Sequence, residues 1–491
     1  MKSNVKIIFK MLLLPVGLLL FMPTILVRAE EPQKTLLLSS SDAVETALKN
    51  NKSLQIQKLT PVITSLNRKI AESAFDPTLS AGLSSSMSGL STDSKSHRNT
   101  GSVDIAKTLK SGGQITLGLT SDDSSQRSYG NLYSTNLLVS FKQPLLNGAG
   151  KKINTIAITQ SDMDAKIARY ELQGYTEALI DQVISTYWDF ALAQKKLSIY
   201  EDSLKLAERQ LSETEEMVKV GKLAEVELVP AQAEVATRRQ ALINITGQCD
   251  TLKLKLLQLT NPSGGTDFWD TSIVINDNFI APNVKMDDLR TQLSIALTKR
   301  ADLETARLQK ERGLLDVVKT KNGLLPYLSF FVDLGNTAYS DNFSNTYGNI
   351  LNGEHDVQFG LNYSHALGNN SAQAKYEQTL LKQEQANIAL ENMSISVESE
   401  VRTNYIEMSR SHNQIDAAEA SRKVQEEKLR TESEKYYIGK STSINVAVAQ
   451  RDLLQSQVDE VQAIADYIKS ITSLYKSEGV ILEKYGITLA E

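Results

Sequence analysis

Two long stretches of the chain carry an apolar residue at every seventh position. The stretches contain Val183, Phe190, Leu197, Leu204, Leu211 and Val218, and then Leu228, Val235, Leu242, Cys249 and Leu256. A sustained seven-residue period is typical of a helix that buries a narrow stripe against another helix. The first helix, about 58 residues over roughly 162–219, would be about 87 Å long at 1.5 Å per residue.

The two helices are separated by residues that end one helix and start another. Gly221 suits the left-handed conformation at a helix C-terminus, and Pro230 is tolerated in the first turn of the next helix. We therefore predict a long antiparallel hairpin with its tip near residues 219–228.

The same tip occurs again later in the chain. Residues 220–222 (Val-Gly-Lys) match residues 438–440 (Ile-Gly-Lys) at an offset of 218, and Pro77 matches Pro326 at an offset of 249. The second returning helix keeps the heptad, with Ala447, Leu454, Val461, Ile468, Tyr475 and Leu482. The pattern predicts an internal duplication in which each copy runs helix, extended segment, long helix, tip and long helix.

The extended segments alternate apolar with small or polar residues at period two, as strands do. They occupy 77–146 in the first copy and 327–366 in the second, and they are about as long as tilted membrane strands. Ser/Asn/Asp-rich stretches at 91–100 and 121–134 are predicted to be loops. Pro144, Gly148 and Gly150 are expected where a strand bends into a helix.

Two to four strands from one copy cannot close a sheet. Open edges invite aggregation, and within a bilayer they are not viable. The strands must then be completed by the other copy and by other chains, which a symmetric oligomer around a shared barrel achieves. A small soluble β cap on a helical rod is the alternative that this pattern leaves open.

The N-terminus differs from the rest of the chain. Lys2, Lys6 and Lys10 precede an apolar run over 11–27 and a small-residue site ending at Ala29, which predicts a secretory signal peptide over 1–29. A single membrane anchor is the alternative. After residue 30, no apolar run reaches the roughly 20 residues of a membrane-spanning helix.

Charge and cysteine content narrow the function classes. The formal net charge is −5, and cleavage after Ala29 would make it more negative, which does not suit nucleic-acid binding. The single cysteine, Cys249, occupies a heptad position and is predicted to be a small core residue. No cysteine follows the cleavage site, so a lipid anchor is not supported.

Catalytic patterns are absent from the sequence. His97, His355, His365 and His412 are scattered, and no zinc, phosphate-loop or nucleophile-elbow spacing occurs. We predict that the protein is not an enzyme and has no cofactor and no metal site.

The sequence resembles the TolC-like outer-membrane efflux and secretion channels over nearly all of the mature chain. The resemblance is carried by the signal peptide, AVETALKNN at 43–51, FDPTLS at 75–80, QPLLNGAG at 143–150 and the two tips. It implies a mixed α + β membrane protein in which a long antiparallel coiled-coil α-barrel continues into a transmembrane β-barrel shared by a homotrimer. Each chain is expected to give four strands to a twelve-stranded barrel.

The resemblance also implies a function and partners. The expected function is a passive exit duct of a tripartite efflux system, set among outer-membrane lipid with its helical body in the periplasm. A periplasmic adaptor would connect it to an inner-membrane pump of the RND or ABC type. A type I protein secretion channel is one alternative, and an extracytoplasmic coiled coil or adhesin without a pore is an alternative of another class.

Site residues follow from matching the family's tips. Gate candidates are Glu227, Tyr436, Ser441 and Asn445, and adaptor-docking candidates are Val220, Gly221, Lys222, Ile438, Gly439 and Lys440. Where the family often has an aspartate in each copy, this chain has Glu227 and Asn445, so the acidic ring is at most half kept.

The predicted domains are the signal peptide and two repeats. The first repeat, 30–265, holds a helix from Leu36 to Leu66 with Asp42 as its N-cap, strands at 77–146 and a hairpin at 155–260. The second, 266–491, holds a helix at 284–321, strands at 327–366 and a hairpin at 371–483. Segments 102–109 and 114–120 are predicted to form an extra hairpin, and the sequence leaves open whether it enlarges the barrel or lies outside it.

Overall fold

The computed structural model of the protein describes residues 35–88, 96–126, 130–266, 268–285 and 287–488. The predicted signal peptide lies outside these ranges. The described helices are α1 (Ser40–Asn50), α2 (Lys52–Glu72), α3 (Lys151–Asn154), α4 (Ile156–Lys219), α5 (Leu228–Thr260), α6 (Leu289–Lys299), α7 (Ala301–Gly323), α8 (Phe343–Gly348), α9 (Asn370–Tyr437), α10 (Ser443–Ser477) and α11 (Ile481–Lys484).

Two hairpins of long helices form the body of the chain. Helix α4 has 64 residues and α9 has 68 residues, which corresponds to roughly 100 Å each at 1.5 Å per residue. Helix α4 packs on α5, α9 packs on α10, and α10 packs on α4, so the two hairpins lie side by side. The hairpins that the heptads predict are therefore present. None of the described helices combines the length and the apolar composition needed to cross a membrane.

The helix that opens each copy is divided, which corrects the predictions for Leu36–Leu66 and 284–321. Asn51 separates α1 from α2, because its side chain accepts a hydrogen bond from the Leu54 amide at 3.0 Å and so caps a new helix. In the second copy, Arg300 has an extended backbone between α6 and α7.

The prediction that Asp42 is the N-cap is also wrong, because the helix begins about one turn earlier. Ser39 is the N-cap of α1, and Asp42 is the third helical residue, whose carboxylate accepts from the Ser39 amide to complete a capping box. Residues Thr35–Leu38, predicted to belong to this helix in part, form a strand.

The main hydrophobic core lies around the middle of α4. Tyr187 and Phe190 are at most 2% exposed there, and the Tyr187 hydroxyl donates to the Leu38 carbonyl at 3.1 Å. Cys249 is buried in the same core, which confirms its predicted place in the heptad. The core also includes residues of α1, α5, α11 and a two-stranded sheet. It therefore packs the start, middle and end of the chain together.

The described strands form two sheets. They are β1 (Thr35–Leu38), β2 (Thr78–Ser88), β3 (Ser96–Thr108), β4 (Gln114–Gln126), β5 (Gly130–Pro144), β6 (Ser272–Ile275), β7 (Tyr327–Ser340) and β8 (Glu354–Ser364). Strands β1 and β6 pair in parallel beside the core. The other six form one antiparallel sheet in the order β2-β3-β4-β5-β7-β8.

The large sheet has one apolar and one polar face. Most of the exposed apolar side chains lie on the same face, as the register shows: Leu79, Leu83, Val103, Ile105, Ile115, Leu117, Val139, Leu334, Val357, Phe359 and Leu361. Leu132 and Tyr339 are exposed on the other face. The opposite face is mostly small or polar, with Ser80, Ser102, Asp104, Thr116, Thr120, Asn136, Ser140, Asp333, Asp356 and Gln358. An apolar face toward lipid and a polar face toward the interior is the pattern of a membrane barrel wall.

Polar segments predicted to be loops belong in part to the strands. Strand β3 begins at Ser96 and β4 runs to Gln126, so the predicted loops at 91–100 and 121–134 are shorter than expected. Cross-strand side-chain bonds stabilise these polar strand ends: Asn99 donates to Asp123 at 3.1 Å, and Thr100 donates to Asp122. Residues 89–95 and 127–129 lie outside the described residues.

The extra hairpin lies within the sheet. Strands β3 and β4 pair with each other over 13 positions, and they pair with β2 and β5 on their outer sides. In the described part of the chain this sheet therefore has six strands, where the resemblance implies four. The inserted strands continue the alternation of both faces, which explains why the sheet accommodates them.

The sheet joins the helices through a cluster of tight contacts. Gly148 has φ 82°, and its amide N–H donates to Asn322 Oδ1 at 2.8 Å. Asn154 Nδ2 donates to the Gly148 carbonyl at 2.9 Å. A Cβ on Gly112, in the β3–β4 turn, would lie 2.3 Å from that carbonyl oxygen, so only glycine fits there. The bend predicted at 144–150 is thus held by contacts from α3, α7 and the inserted hairpin.

Candidate functional site: the two hairpin tips

The first tip ends α4 with a Schellman motif. Gly221 has φ 72°, its amide donates to the Val218 carbonyl at 3.0 Å, and the Lys222 amide donates to the Met217 carbonyl at 2.9 Å. Residues Glu225–Glu227 then form a short 3-10 turn that leads into α5.

The second tip has the same backbone. Gly439 has φ 74°, its amide donates to the Tyr436 carbonyl at 2.9 Å, and the Lys440 amide donates to the Lys435 carbonyl at 2.8 Å. Thr442 caps α10 by accepting from the Asn445 amide. The left-handed glycine predicted for each tip is confirmed.

Both tips present the same exposed surface. Val220 is 68% exposed and Ile438 is 67% exposed, and each precedes an exposed Gly-Lys pair. The six docking candidates therefore form two similar apolar and basic knobs. The apolar surface extends to Val226, Val229 and Ile444, which the sequence analysis did not select.

Glu227 joins the two tips. Its carboxylate accepts from the Ser443 amide at 3.1 Å and from the Ser443 hydroxyl. Ser443 is the first residue of α10, so Glu227 satisfies one of the unpaired amides at that helix N-terminus and places a negative charge where the helix dipole favours it. Ser443 carries no sequence signal that identifies it as a partner of Glu227.

Tyr436 lies in the packed interface between the hairpins. It is 2% exposed, and its hydroxyl is 3.0 Å from Thr214 Oγ1. Because Thr214 donates to the Gln210 carbonyl at 2.7 Å, the Tyr436 hydroxyl is the donor in this pair. Within one chain, this gate candidate therefore connects α9 to α4.

The adjacent tyrosine makes a second connection that the sequence analysis missed. The Tyr437 hydroxyl donates to Glu213 Oε2 at 2.6 Å. This hydrogen bond, with burial and the Glu213 charge, raises the pKa of Tyr437 to about 12. Glu213 and Thr214 are neighbours on α4, as Tyr436 and Tyr437 are on α9, so two links lie side by side.

The remaining gate candidates belong to a chain of hydrogen-bonded polar side chains on the second tip. Asn445 Nδ2 donates to Ser441 Oγ at 3.3 Å, and Ser441 Oγ donates to Glu432 Oε2 at 2.9 Å. Hydrogen bonds from Lys435 and then Ser441 lower the pKa of the Glu432 carboxyl group. Glu227 is not part of this chain, so the four candidates do not form one cluster.

Among the described residues, no group of three His, Cys, Asp or Glu side chains is placed to hold a metal ion. The polar groups of the tips hydrogen-bond to one another, and their arrangement links helices.

Comparison with known proteins identifies the class. The profile of the outer membrane efflux protein family matches residues 43–262 and 292–480, so the chain belongs to this family. The predicted family, the transport role in efflux and the outer-membrane localisation are confirmed, and the family is one of passive channels. No functionally curated protein matches the sequence.

Solved structures agree on the fold. The outer-membrane channel OprN superposes with a TM-score of 0.69 at 16% identity, over 90% of this chain and 89% of that one. The CmeC outer membrane channel of Campylobacter jejuni gives 0.67 at 17% identity, over 90% and 86%. VceC of Vibrio cholerae gives 0.67 at 16% identity, over 90% and 96%. The mixed helical and β architecture predicted from the sequence is therefore confirmed.

Proposed function

We propose that three copies of this chain form a passive exit duct that receives solutes from a periplasmic adaptor and an inner-membrane pump and releases them outside the cell. The observation that carries the proposal is the six-stranded sheet, which has one apolar face, one polar face and edges at β2 and β8 that pair with no other described strand. Such edges must be completed for the sheet to lie in a bilayer. The long helices continue from this sheet and would form the periplasmic part of the duct.

The pump would supply both direction and energy. The tips offer hydrogen bonds and packing between helices, which can switch between two arrangements but cannot drive transport. We infer that the chain conducts by diffusion once open and that an RND or ABC pump determines the cargo.

The links between the two tips would hold the duct closed. Glu227 with Ser443, Thr214 with Tyr436 and Glu213 with Tyr437 each connect one hairpin to the other. We propose that opening slides the α9–α10 hairpin along α4 and breaks these links. Ser441 and Asn445 would tune the entrance from the exposed side of the second tip.

The two knobs would dock the adaptor. Each offers an exposed aliphatic side chain, Val220 or Ile438, beside Lys222 or Lys440. Their matching geometry suits a partner that repeats the same contact on both hairpins of each chain.

Single-channel recording in planar lipid bilayers tests the gate. Glu227→Ala and Tyr436→Phe each remove a link worth about 1 kcal/mol, so each should raise the open-state population about fivefold. Glu225→Ala, on the same exposed turn, is the matched control and should leave it unchanged. An unchanged open-state population in both variants would show that Glu227 and Tyr436 are not gate residues. A wild-type chain that forms no channel would favour the alternative of a coiled coil or adhesin without a pore.

A further inference from the structure

The two edge strands of the large sheet are suited to pair with each other in neighbouring copies. Strands β2 and β8 each have 11 residues. Because six strands alternate in direction, β2 and β8 run in opposite directions, so β8 of one chain can extend the antiparallel sheet of the next. We propose that three copies close an eighteen-stranded barrel in this way, with a bore that admits hydrophilic solutes about 24 Å across. The proposal rests on the trimeric duct proposed above.

The proposed pairing has a defined register. Full overlap of the two strands places Ser364 opposite Thr78 and Glu354 opposite Ser88. In that register Phe359 lies opposite Leu83 and both are on the apolar face, where they are 73% and 94% exposed in the single chain. A shift by one residue would place an apolar side chain opposite a polar one along the whole seam.

The shift in register from strand to strand is compatible with a closed barrel. A single row of partners crosses the sheet from Thr78 through Ala106, Thr116, Ser140 and Asp333 to Gln358. In the proposed register Gln358 faces Ser84 of the next chain, six residues beyond Thr78. Three chains then give a stagger of eighteen residues around eighteen strands. With a rise of about 3.4 Å and a strand spacing of about 4.8 Å, the strands tilt by about 35°, within the range of membrane barrels.

The width of such a barrel matches the helical body below it. Six strands at this tilt occupy about 35 Å of circumference per chain. Helices α4 and α9 are flanked by α2 and α7 near the sheet and by α5 and α10 near the tips, so each chain presents four helices side by side, which need about 40 Å. The duct would therefore pass from helices to strands without a marked constriction.

The bore follows from the same numbers. Eighteen strands give a backbone diameter of about 34 Å, and side chains that fill about 5 Å on each side leave about 24 Å. The face that would line it is small and polar, with carboxylates at Asp104, Asp333 and Asp356. A barrel of twelve strands at the same tilt would leave about 12 Å.

Disulfide cross-linking tests the register. In a Cys249→Ala background, Ser84→Cys and Gln358→Cys would be directly opposite across the seam, about 5 Å apart between Cα atoms and within disulfide reach. Oxidation should give covalent trimers. Ser84→Cys with Asn362→Cys, on the same face but four residues away, is the control and should give none. Cross-linking of the control pair alone, or of neither pair in trimers that remain intact, would overturn the proposal.

Exclusion of polyethylene glycol tests the bore independently. Polymers of increasing size are added to the external side of wild-type channels in a planar bilayer, and those that enter the barrel reduce its conductance. The expected cut-off is about 24 Å in hydrodynamic diameter. A variant lacking residues 96–126 keeps 89–95 and 127–129 as the connection from β2 to β5, and its cut-off should fall to about 12 Å.

The outcomes separate this inference from the duct itself. A wild-type chain that neither forms trimers nor conducts would contradict the proposed function. Trimers that conduct but exclude polymers wider than about 12 Å would contradict only the eighteen-stranded barrel.

Discussion

At the scale of single residues, Glu478 lies at a position that disfavours the charged form of its carboxyl group. It is the C-cap of α10, where the helix dipole disfavours a carboxylate, and it is 5% exposed. Burial raises the pKa of Glu478 to about 7, and Asp287 raises it further while Lys484 opposes the shift. Because the folded chain prefers the protonated form, the contribution of this group is most favourable below its ordinary pKa and is lost as the pH rises toward 7.

Replacing Glu478 with glutamine should remove this pH dependence. Glu478→Gln mimics the protonated carboxyl group, so at pH 8 it should be more stable than the wild type by on the order of 2 kcal/mol, and at pH 4 the two should agree. Thermal unfolding in detergent at several pH values measures the difference. Glu391→Gln, an exposed change on α9, is the control and should follow the wild type. A constant difference between the Glu478 variant and the wild type from pH 4 to pH 8 would contradict this account.

The proposed gate residues illustrate what a single sequence reveals at this scale. The heptads and tip glycines place Tyr436 and Glu227 at the tips without a structure. Their partners Thr214 and Ser443 are polar residues with no distinguishing pattern, and both pairs span more than 200 positions of the chain. Only the packing of one hairpin against the other brings such residues together.

At the scale of elements, each tip depends on one backbone conformation. Gly221 and Gly439 have φ of 72° and 74°, and a Cβ at either position would meet nothing within 4 Å. Substitution would therefore cost conformational energy without a clash, since L-residues disfavour this region.

Two glycine-to-alanine substitutions in this chain should have opposite effects on local stability. Gly439→Ala should loosen the second tip by about 1 kcal/mol and accelerate amide hydrogen exchange in the last turn of α9 about fivefold. Gly247→Ala, at an exposed position inside α5, should stabilise its helix by about 0.5–1 kcal/mol. Equal effects of the two changes on exchange would show that the left-handed turn does not govern the tip.

The breaks and extensions of elements were the least predictable features. Asn51 and Arg300 interrupt helices whose apolar pattern continues, because a side-chain cap and a cluster of ion pairs act at these points. The polar ends of β3 and β4 look like loops, because their stabilising bonds run between Asn, Thr and Asp side chains of separate strands. Periodicity reports burial, and these features depend on polar partners.

At the scale of the whole molecule, the sequence predicts the two hairpins, the two clusters of strands and the family. The division into two repeats at 30–265 and 266–491 stays a prediction, although the family profile also matches in two blocks. The number of strands could not be derived, because a hairpin outside the wall and one within it have the same alternation. The register of β3 between β2 and β4 resolves that question for the single chain.

The mass of the purified complex shows whether several chains share one barrel. Among the described residues β2 and β8 each have an edge that pairs with no strand, so other chains must complete the proposed wall. For the proposed trimer, light scattering in detergent should report a protein mass of three mature chains. A stable particle of one chain, above all in buffer without detergent, would contradict the shared barrel and the duct built on it.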